Sequence, residues 1–224
     1  MRVIFNEELK QVADDLDRMA QNVRKAIKGA GEALLNQDVE AAQTVIDGDI
    51  EIDALESSVI DQCVKLLAKQ NPVATDLRVV VSTMRLASTF ERMGDLARHV
   101  AGAARRPYPA AAIPESAQPV FAEMIDFLDN TADQLVAMLF DRDAKTAEAI
   151  ILADDKLDNL HHQTFDLALS DDITRQQTVD IVLLGRFLER LGDHAVSAAR
   201  RVVYIVSGFD PTKEPTRDEG TDID

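Results

Sequence analysis

Hydrophobic residues recur every three or four positions along most of this chain. Between Phe5 and Leu34 they include Leu9, Val12 and Leu16 and continue at the same spacing. Such spacing places apolar side chains on one face of a long helix. The pattern is repeated in six segments. The sequence therefore predicts six helices, at about residues 5–35, 39–70, 76–106, 115–140, 144–169 and 173–207.

Short polar or proline-containing segments separate these helices. Asp38 and Asp143 each stand just before a helical segment and are predicted to cap its N-terminus. Pro72 ends the second helix because proline lacks the amide hydrogen that a continuing helix needs. The segment Asn71–Thr75 is predicted to form the turn and to cap the third helix. Residues 107–114 hold three prolines and are predicted to be a linker.

The two halves of the chain are duplicates. Residues 34–55 align without a gap with residues 139–160, and Phe90–Asp95 aligns with Leu188–Asp193. We therefore expect an all-α fold of two tandem homologous three-helix bundles, at residues 1–106 and 115–209, joined by the linker at 107–114. Residues 210–224 are acidic with few apolar side chains, and this tail is predicted to be disordered.

Each half carries two pairs of acidic residues spaced four apart. The members of such a pair lie on one helix face, about one turn apart. A single pair is common by chance in a chain with 40 acidic residues among 224. The eight residues are Asp49, Asp53, Glu91 and Asp95 in the first half, and Asp154, Asp158, Glu189 and Asp193 in the second.

The distances of these pairs from the turns are more informative. Asp49 and Asp95 are each 23 residues from Pro72, and Asp53 and Glu91 are each 19 residues from it. In an antiparallel helical hairpin, residues equally far from the turn lie side by side. The second hairpin shows the same relation around its own turn. Each hairpin is therefore predicted to gather four carboxylates, whose repulsion a cation such as magnesium, calcium, manganese or iron would offset.

Composition and charge narrow the classes of partner and compartment. A net charge of -16 without a basic segment argues against nucleic acid and favours cations or a partner with a basic surface. The single cysteine, Cys63, excludes an internal disulfide and suits a reducing compartment. Residues 1–8 lack the apolar core of a signal peptide, and no stretch is long and apolar enough to span a membrane. We expect a soluble, cytoplasmic protein.

The histidines and glycines of the sequence give less information on a metal site than the acidic pairs do. None of the four histidines is duplicated, and His161, for example, aligns with Glu56. Symmetric imidazole ligation is therefore not expected, and each histidine is expected to be exposed or hydrogen-bonded. Gly94 and Gly192 recur between paired acids inside helices, which indicates close helix packing or room for an ion. No nucleophile–base arrangement is present, so no catalytic residue is predicted.

The segment Lys65–Arg78, followed by Phe90–Asp95 and by Leu188–His194, resembles the PhoU family. The resemblance extends from about Phe5 to Ser207. It implies two three-helix bundles, often in a homodimer, with metal clusters on the acid-x-x-x-acid motifs of some members. Carried over by position, the ligands would be the eight carboxylates named above. The resemblance does not fix the ion, for which iron, zinc, manganese and magnesium are the candidates.

The resemblance also implies a function. Such a protein would be a non-enzymatic accessory regulator that represses the phosphate-starvation response when phosphate is abundant. It would act by contact with the ATPase subunit of a phosphate ABC transporter and with a sensor histidine kinase, and would meet the membrane only through these partners. Two alternatives are a carboxylate-bridged di-metal enzyme and a metal-free helical adaptor.

Overall fold

The computed structural model describes residues 2–208, with side chains from residue 5 onward. It contains six α-helices: α1 Arg2–Asn36, α2 Val39–Gln70, α3 Ala74–Arg105, α4 Gln118–Asp141, α5 Ala144–Ala168 and α6 Arg175–Ser207. A single 3-10 turn at Glu115–Ala117 precedes α4. Within residues 2–208 there is no strand, so the predicted all-α fold is confirmed. The tail predicted at 210–224 lies outside the described residues.

The helix ends follow the predicted capping residues with one exception. The carboxylate of Asp38 accepts hydrogen bonds from the amides of Glu40 and Ala41 at 3.0 and 2.9 Å, and Asp143 caps α5 in the same way. The third helix, however, begins at Ala74 instead of about Asp76, without a side-chain cap. The left-handed conformation of Asn71, with φ 45°, ends α2 and lets the turn close within three residues.

The two halves share one hydrophobic core. Helix α1 packs against α2 and α3, and α4 packs against α5 and α6. The halves meet where α3 packs on α6 and where α1 packs on α4. Buried side chains from both halves form one continuous cluster, to which the linker contributes Ile113. The Pro-rich segment is therefore anchored in the interior instead of spanning open solvent.

The contact between α3 and α6 determines where the acidic pairs of these two helices lie along the helix pair. The two helices run antiparallel: Arg78 near the start of α3 donates to the carbonyl of Ile205, and Arg106 after its end binds Asp180. Between these ends the ring of His99 stacks on Phe187 with centroids 5.3 Å apart. Both acidic pairs of α3 and α6 therefore lie near the middle of this helix pair, one on each hairpin.

Candidate metal centres

The first hairpin brings Asp49 and Asp53 of α2 close to Glu91 and Asp95 of α3. Asp49 is only 7 % exposed. Burial raises the pKa of its carboxyl group, and the nearby charges of Asp53 and Asp95 raise it further, whereas Arg98 lowers it. The residues that are equally far from Pro72 in sequence are thus electrostatic neighbours in the folded chain.

Glu91 completes this first cluster from the side of α3. Burial is the largest cause that raises the pKa of its carboxyl group, and Asp95, Glu56 and Asp53 add to it. Arg92 opposes the rise, at 3.5 Å from the Glu91 carboxylate and 3.7 Å from that of Asp95. The first cluster therefore contains four carboxylates in a partly water-shielded position, with Glu56 beside them.

Arg98 belongs to the first cluster, and the sequence reasoning missed it. Its Nε atom lies 2.6 Å from Oδ2 of Asp49, and its Nη2 atom lies 2.7 Å from Oδ1 of Asp95. The guanidinium thus joins one carboxylate of α2 to one of α3. The spacing of three between Asp95 and Arg98 could have suggested half of this contact, because such residues are neighbours on a helix.

The second hairpin gathers Asp154, Asp158, Glu189 and Asp193. Burial raises the pKa of Asp154, and the charges of Asp158 and Asp193 raise it further. Burial also raises the pKa of Glu189, followed by the charge of Asp193, while Arg186 lowers it. These four acids are therefore neighbours as well.

The two clusters differ in the cations that neutralise them. Val196 of the second half occupies the repeat position of Arg98, so no side chain at that position joins α5 to α6. The cations near the second cluster act on single acids: Arg186 binds Glu189 at 2.5 Å, and Arg200 lowers the pKa of Asp154 as a smaller effect than its acidic neighbours. The second cluster therefore keeps more of its mutual repulsion.

His161 also distinguishes the second cluster. It occupies the repeat position of Glu56, and the charges of Asp158 and Asp193 act on its pKa, which burial lowers. Its Nε2 atom is buried and has no hydrogen-bond partner among the described residues. The expectation that each histidine is exposed or hydrogen-bonded was wrong here, because the ring packs against Phe165 at 5.0 Å between centroids.

The recurring glycines lie where the two helices of each hairpin pack closely together. A Cβ atom on Gly94 would lie 2.9 Å from Cδ1 of Ile52 and 3.3 Å from Oδ1 of Asp49. A Cβ atom on Gly192 would lie 2.4 Å from Cδ2 of Leu157 and 3.4 Å from Oδ1 of Asp154. Glycine is therefore required at both places for close packing, and it also leaves room beside one carboxylate.

The chemistry of these clusters suits a hard or borderline cation, since their donors are carboxylate oxygens with one imidazole nearby in the second. In the described part of the chain, however, no three Asp, Glu, His or Cys side chains are arranged to hold a metal ion. Asp53, Asp158 and Asp193 are exposed and free of tight packing. Rotation of such exposed side chains would be needed to close either cluster around an ion.

Taken together, the fold and the clusters define a class of protein: tandem three-helix repeats around one core, each with a carboxylate cluster on its hairpin. The family model described as the PhoU domain matches residues 16–104 and again 121–202 of this chain. The chain therefore belongs to the PhoU family.

Several relatives and solved structures resemble nearly the whole chain. The phosphate-specific transport system accessory protein PhoU homolog 1 of Mycobacterium tuberculosis is 35% identical over 216 residues, which cover 96% of this chain and 98% of that protein. The crystal structure of PhoU from Pseudomonas aeruginosa matches with a TM-score of 0.86 and 28% identity, covering 92% of this chain and 100% of that one. The phosphate transport system regulatory protein PhoU from Streptococcus pneumoniae matches with a TM-score of 0.81 and 25% identity, covering 92% and 98%.

Across the described helices, none has a segment long and apolar enough to cross a membrane.

Proposed function

We propose that this chain is a cytoplasmic accessory regulator of phosphate uptake without catalytic activity of its own. It restrains the phosphate-starvation response when phosphate is abundant. It does so through contact with the ATPase subunit of a phosphate ABC transporter and with a sensor histidine kinase, and it works as a homodimer.

The observation that carries this proposal is the match of both repeats to the PhoU domain. It is supported by the relatives' names, which describe an accessory protein and a regulatory protein of phosphate transport. The net charge of -16 adds a physical argument, because it favours partners with basic surfaces.

The test is co-purification of the full chain with the transporter ATPase subunit and with sensor kinases from the same cells, grown in high and in low phosphate. We expect both partners to be retained, and deletion of the chain to release phosphate-starvation genes from repression in high phosphate. Normal repression in the deletion strain, together with no retention of either partner, would contradict the proposal. Light scattering during gel filtration checks the homodimer.

The carboxylate clusters supply the proposed regulatory element. We propose that a divalent or ferric ion, of iron, zinc, manganese or magnesium, binds the second cluster at Asp154, Asp158, Glu189 and Asp193. Binding there holds α5 against α6 and fixes the surface that the hairpin presents. The corresponding ligands of the first cluster are Asp49, Asp53, Glu91 and Asp95, but Arg98 competes with a metal ion for two of them.

A metal-free helical adaptor is the second candidate function. The observation that favours it is the guanidinium of Arg98, which supplies a cation to the first cluster from within the chain. Thermal unfolding before and after treatment with a chelator separates the two. A metal-stabilised hairpin loses stability in the chelator and regains it with added metal, whereas a metal-free adaptor is unaffected by either.

A further inference from the structure

A cavity of about 330 Å³ lies where α3 meets residues of α2 and α6, next to the first carboxylate cluster, with which it shares Arg98. We call it the basic groove, and we define it by Arg98, His99, Arg105, Arg106 and Phe187, which line it together with a few small or apolar residues. No aspartate or glutamate among the described residues lines it. Three of the lining side chains are arginines, although the chain has 40 acidic residues and 24 basic ones.

Two of the guanidinium groups are held in place by carboxylates that lie outside the groove. Arg106 donates to Asp180, whose side chain is only 2 % exposed and which also accepts from Gln176. Arg98 is held by Asp49 and Asp95, as described above. These contacts restrict the rotation of both side chains, so that less entropy is lost when either guanidinium binds a ligand.

The third guanidinium supplies charge to the groove. Arg105 donates to the side-chain oxygen of Gln43, which is a neutral amide. Its charge is therefore not compensated by that partner. His99 adds a ring that is positioned by stacking on Phe187. A Cβ atom on Gly102 would meet no atom within 4 Å, so the helix surface between these cations is open.

This set of donors fits an oxyanion with more acceptor sites than a carboxylate has. Guanidinium groups bind carboxylate and phosphate with two parallel hydrogen bonds. Arg105, His99 and the N–H groups of Arg98 and Arg106 that do not face Asp49, Asp95 or Asp180 supply the donors for a ligand here. A phosphoryl group presents three strongly accepting oxygens and up to two negative charges. We propose that the basic groove binds a phosphoryl oxyanion, either inorganic phosphate or the phosphate chain of a small metabolite.

The lining residues of the basic groove can be compared with the residues at the matching repeat positions, which lie on the other side of the α3–α6 pair. There the positions of Arg98 and His99 are taken by Val196 and Ser197, and the position of Phe187 is taken by Thr89. The fixed guanidinium and the stacked imidazole of the basic groove are thus not reproduced. This set of residues therefore occurs on one side of the α3–α6 pair and is not a general feature of the fold.

The experiment is a titration of the full-length protein with inorganic phosphate, with tripolyphosphate and with acetate at low ionic strength. The chemical shifts of the His99 ring report on the site. We expect a saturable change at His99 with phosphate or tripolyphosphate, and the tighter of the two identifies the source of the phosphoryl group. Acetate at the same concentrations should leave His99 unchanged.

Two variants and one control locate the site. Arg105→Gln removes a cation and leaves no buried carboxylate without its counter-ion. It should weaken the binding of phosphate or tripolyphosphate about tenfold, the scale of one charge-assisted hydrogen bond. Leu183→Glu places a carboxylate at a side chain that lines the groove and is 40% exposed, and should abolish binding. Arg18→Gln changes the same charge at an exposed position of α1 and should leave affinity within about twofold.

Three results would overturn the proposal: no saturable change at His99 with either phosphate compound, an equal response to acetate, or equal weakening by Arg18→Gln and Arg105→Gln. Helical circular dichroism and the thermal midpoint confirm that each variant is folded. The titration requires neither a transporter nor a kinase, so its failure is distinguishable from failure of the proposed regulatory function.

Discussion

A single side chain, Arg98, makes the two carboxylate clusters different. It neutralises Asp49 and Asp95 from within the chain, at 2.6 and 2.7 Å. The second half has Val196 at this position. A cation is thus built into the first cluster and is lacking at the matching position of the second. Sequence spacing could place the acids at one level, but it could not show which arginine would reach across the hairpin.

The replacement Arg98→Met should lower the free energy of unfolding at neutral pH, in the absence of metal, by about 1–2 kcal/mol. The reason is that it leaves the buried Asp49 carboxylate without its counter-ion, in a site that is partly screened by solvent. Chemical denaturation measures the change. Arg92→Met is the matched control: Arg92 is 63% exposed and lies 3.5–3.7 Å from its acids, so it should change stability by less than about 0.5 kcal/mol. Equal losses in both variants would show that Arg98 has no special role.

Asp129 on α4 carries a charge that opposes folding at neutral pH. Burial raises the pKa of its carboxyl group to about 6; Asp133, Asp126 and Glu32 add to the rise, and Lys28 opposes it. A folded-state pKa above the unfolded one means that the folded chain binds the proton more tightly. The resulting stability is present below about pH 4 and is lost as the pH rises through about 6.

Asp129→Asn should therefore raise the free energy of unfolding at pH 7 by about 1 kcal/mol, discounted for partial exposure, and should have little effect near pH 4. Denaturation curves at the two pH values measure this. The neighbouring change Asp133→Asn should have the opposite sign at pH 7, because Asp133 pairs with Arg24 at 2.7 Å and with Lys28 at 2.9 Å. A loss of stability at pH 7 in Asp129→Asn would contradict the argument.

At the scale of the helices, the sequence was most informative where spacing alone decides the outcome. The three-to-four residue spacing predicted six helices, and Asp38 and Asp143 were predicted as caps; the structure confirms both. The start of α3 at Ala74 differs from the predicted start at about Asp76, because the turn depends on the left-handed backbone of Asn71. The buried, unpartnered Nε2 atom of His161 could not be predicted, since it depends on packing against a side chain one turn away.

The helix contacts of the hairpins lead to a test with two glycines. Gly192→Ala should lower the free energy of unfolding by about 1 kcal/mol, because the gain in helix propensity is smaller than the cost of moving the buried Leu157 side chain from a Cβ contact of 2.4 Å. Gly48→Ala is the control inside α2, where a new Cβ would meet no atom within 4 Å, and it should raise stability by about 0.8–1 kcal/mol. Stabilisation by both changes would show that α5 and α6 are not closely packed at Gly192.

At the scale of the whole molecule, the repeat predicted two equivalent halves, and the structure joins them more closely than the sequence indicated. Ile113 in the Pro-rich segment is 1% exposed and belongs to the shared core. Contacts between α3 and α6 and between α1 and α4 depend on residues far apart in the sequence, such as Arg106 and Asp180, which are 74 positions apart. Periodicity carries no information on such distant pairs. The eight metal ligands stay a prediction, because carboxylate spacing fixes where the acids lie and not which ion they bind.

The second cluster is proposed to bind a metal ion, whereas Arg98 supplies the cation of the first. The metal content of full-length protein purified without chelator is the most direct test of this difference. Two double variants remove the same charge, one from each cluster: Asp158→Asn with Glu189→Gln, and Asp53→Asn with Glu91→Gln. Elemental analysis should find bound metal in the unmodified chain and little metal in the first double variant. The second double variant should keep nearly the full amount, because the guanidinium of Arg98 already supplies a cation to the first cluster. Unchanged metal content in both double variants, or no metal in the unmodified chain, would contradict a metal site on the second hairpin. Equal loss in both would contradict the difference between the two clusters.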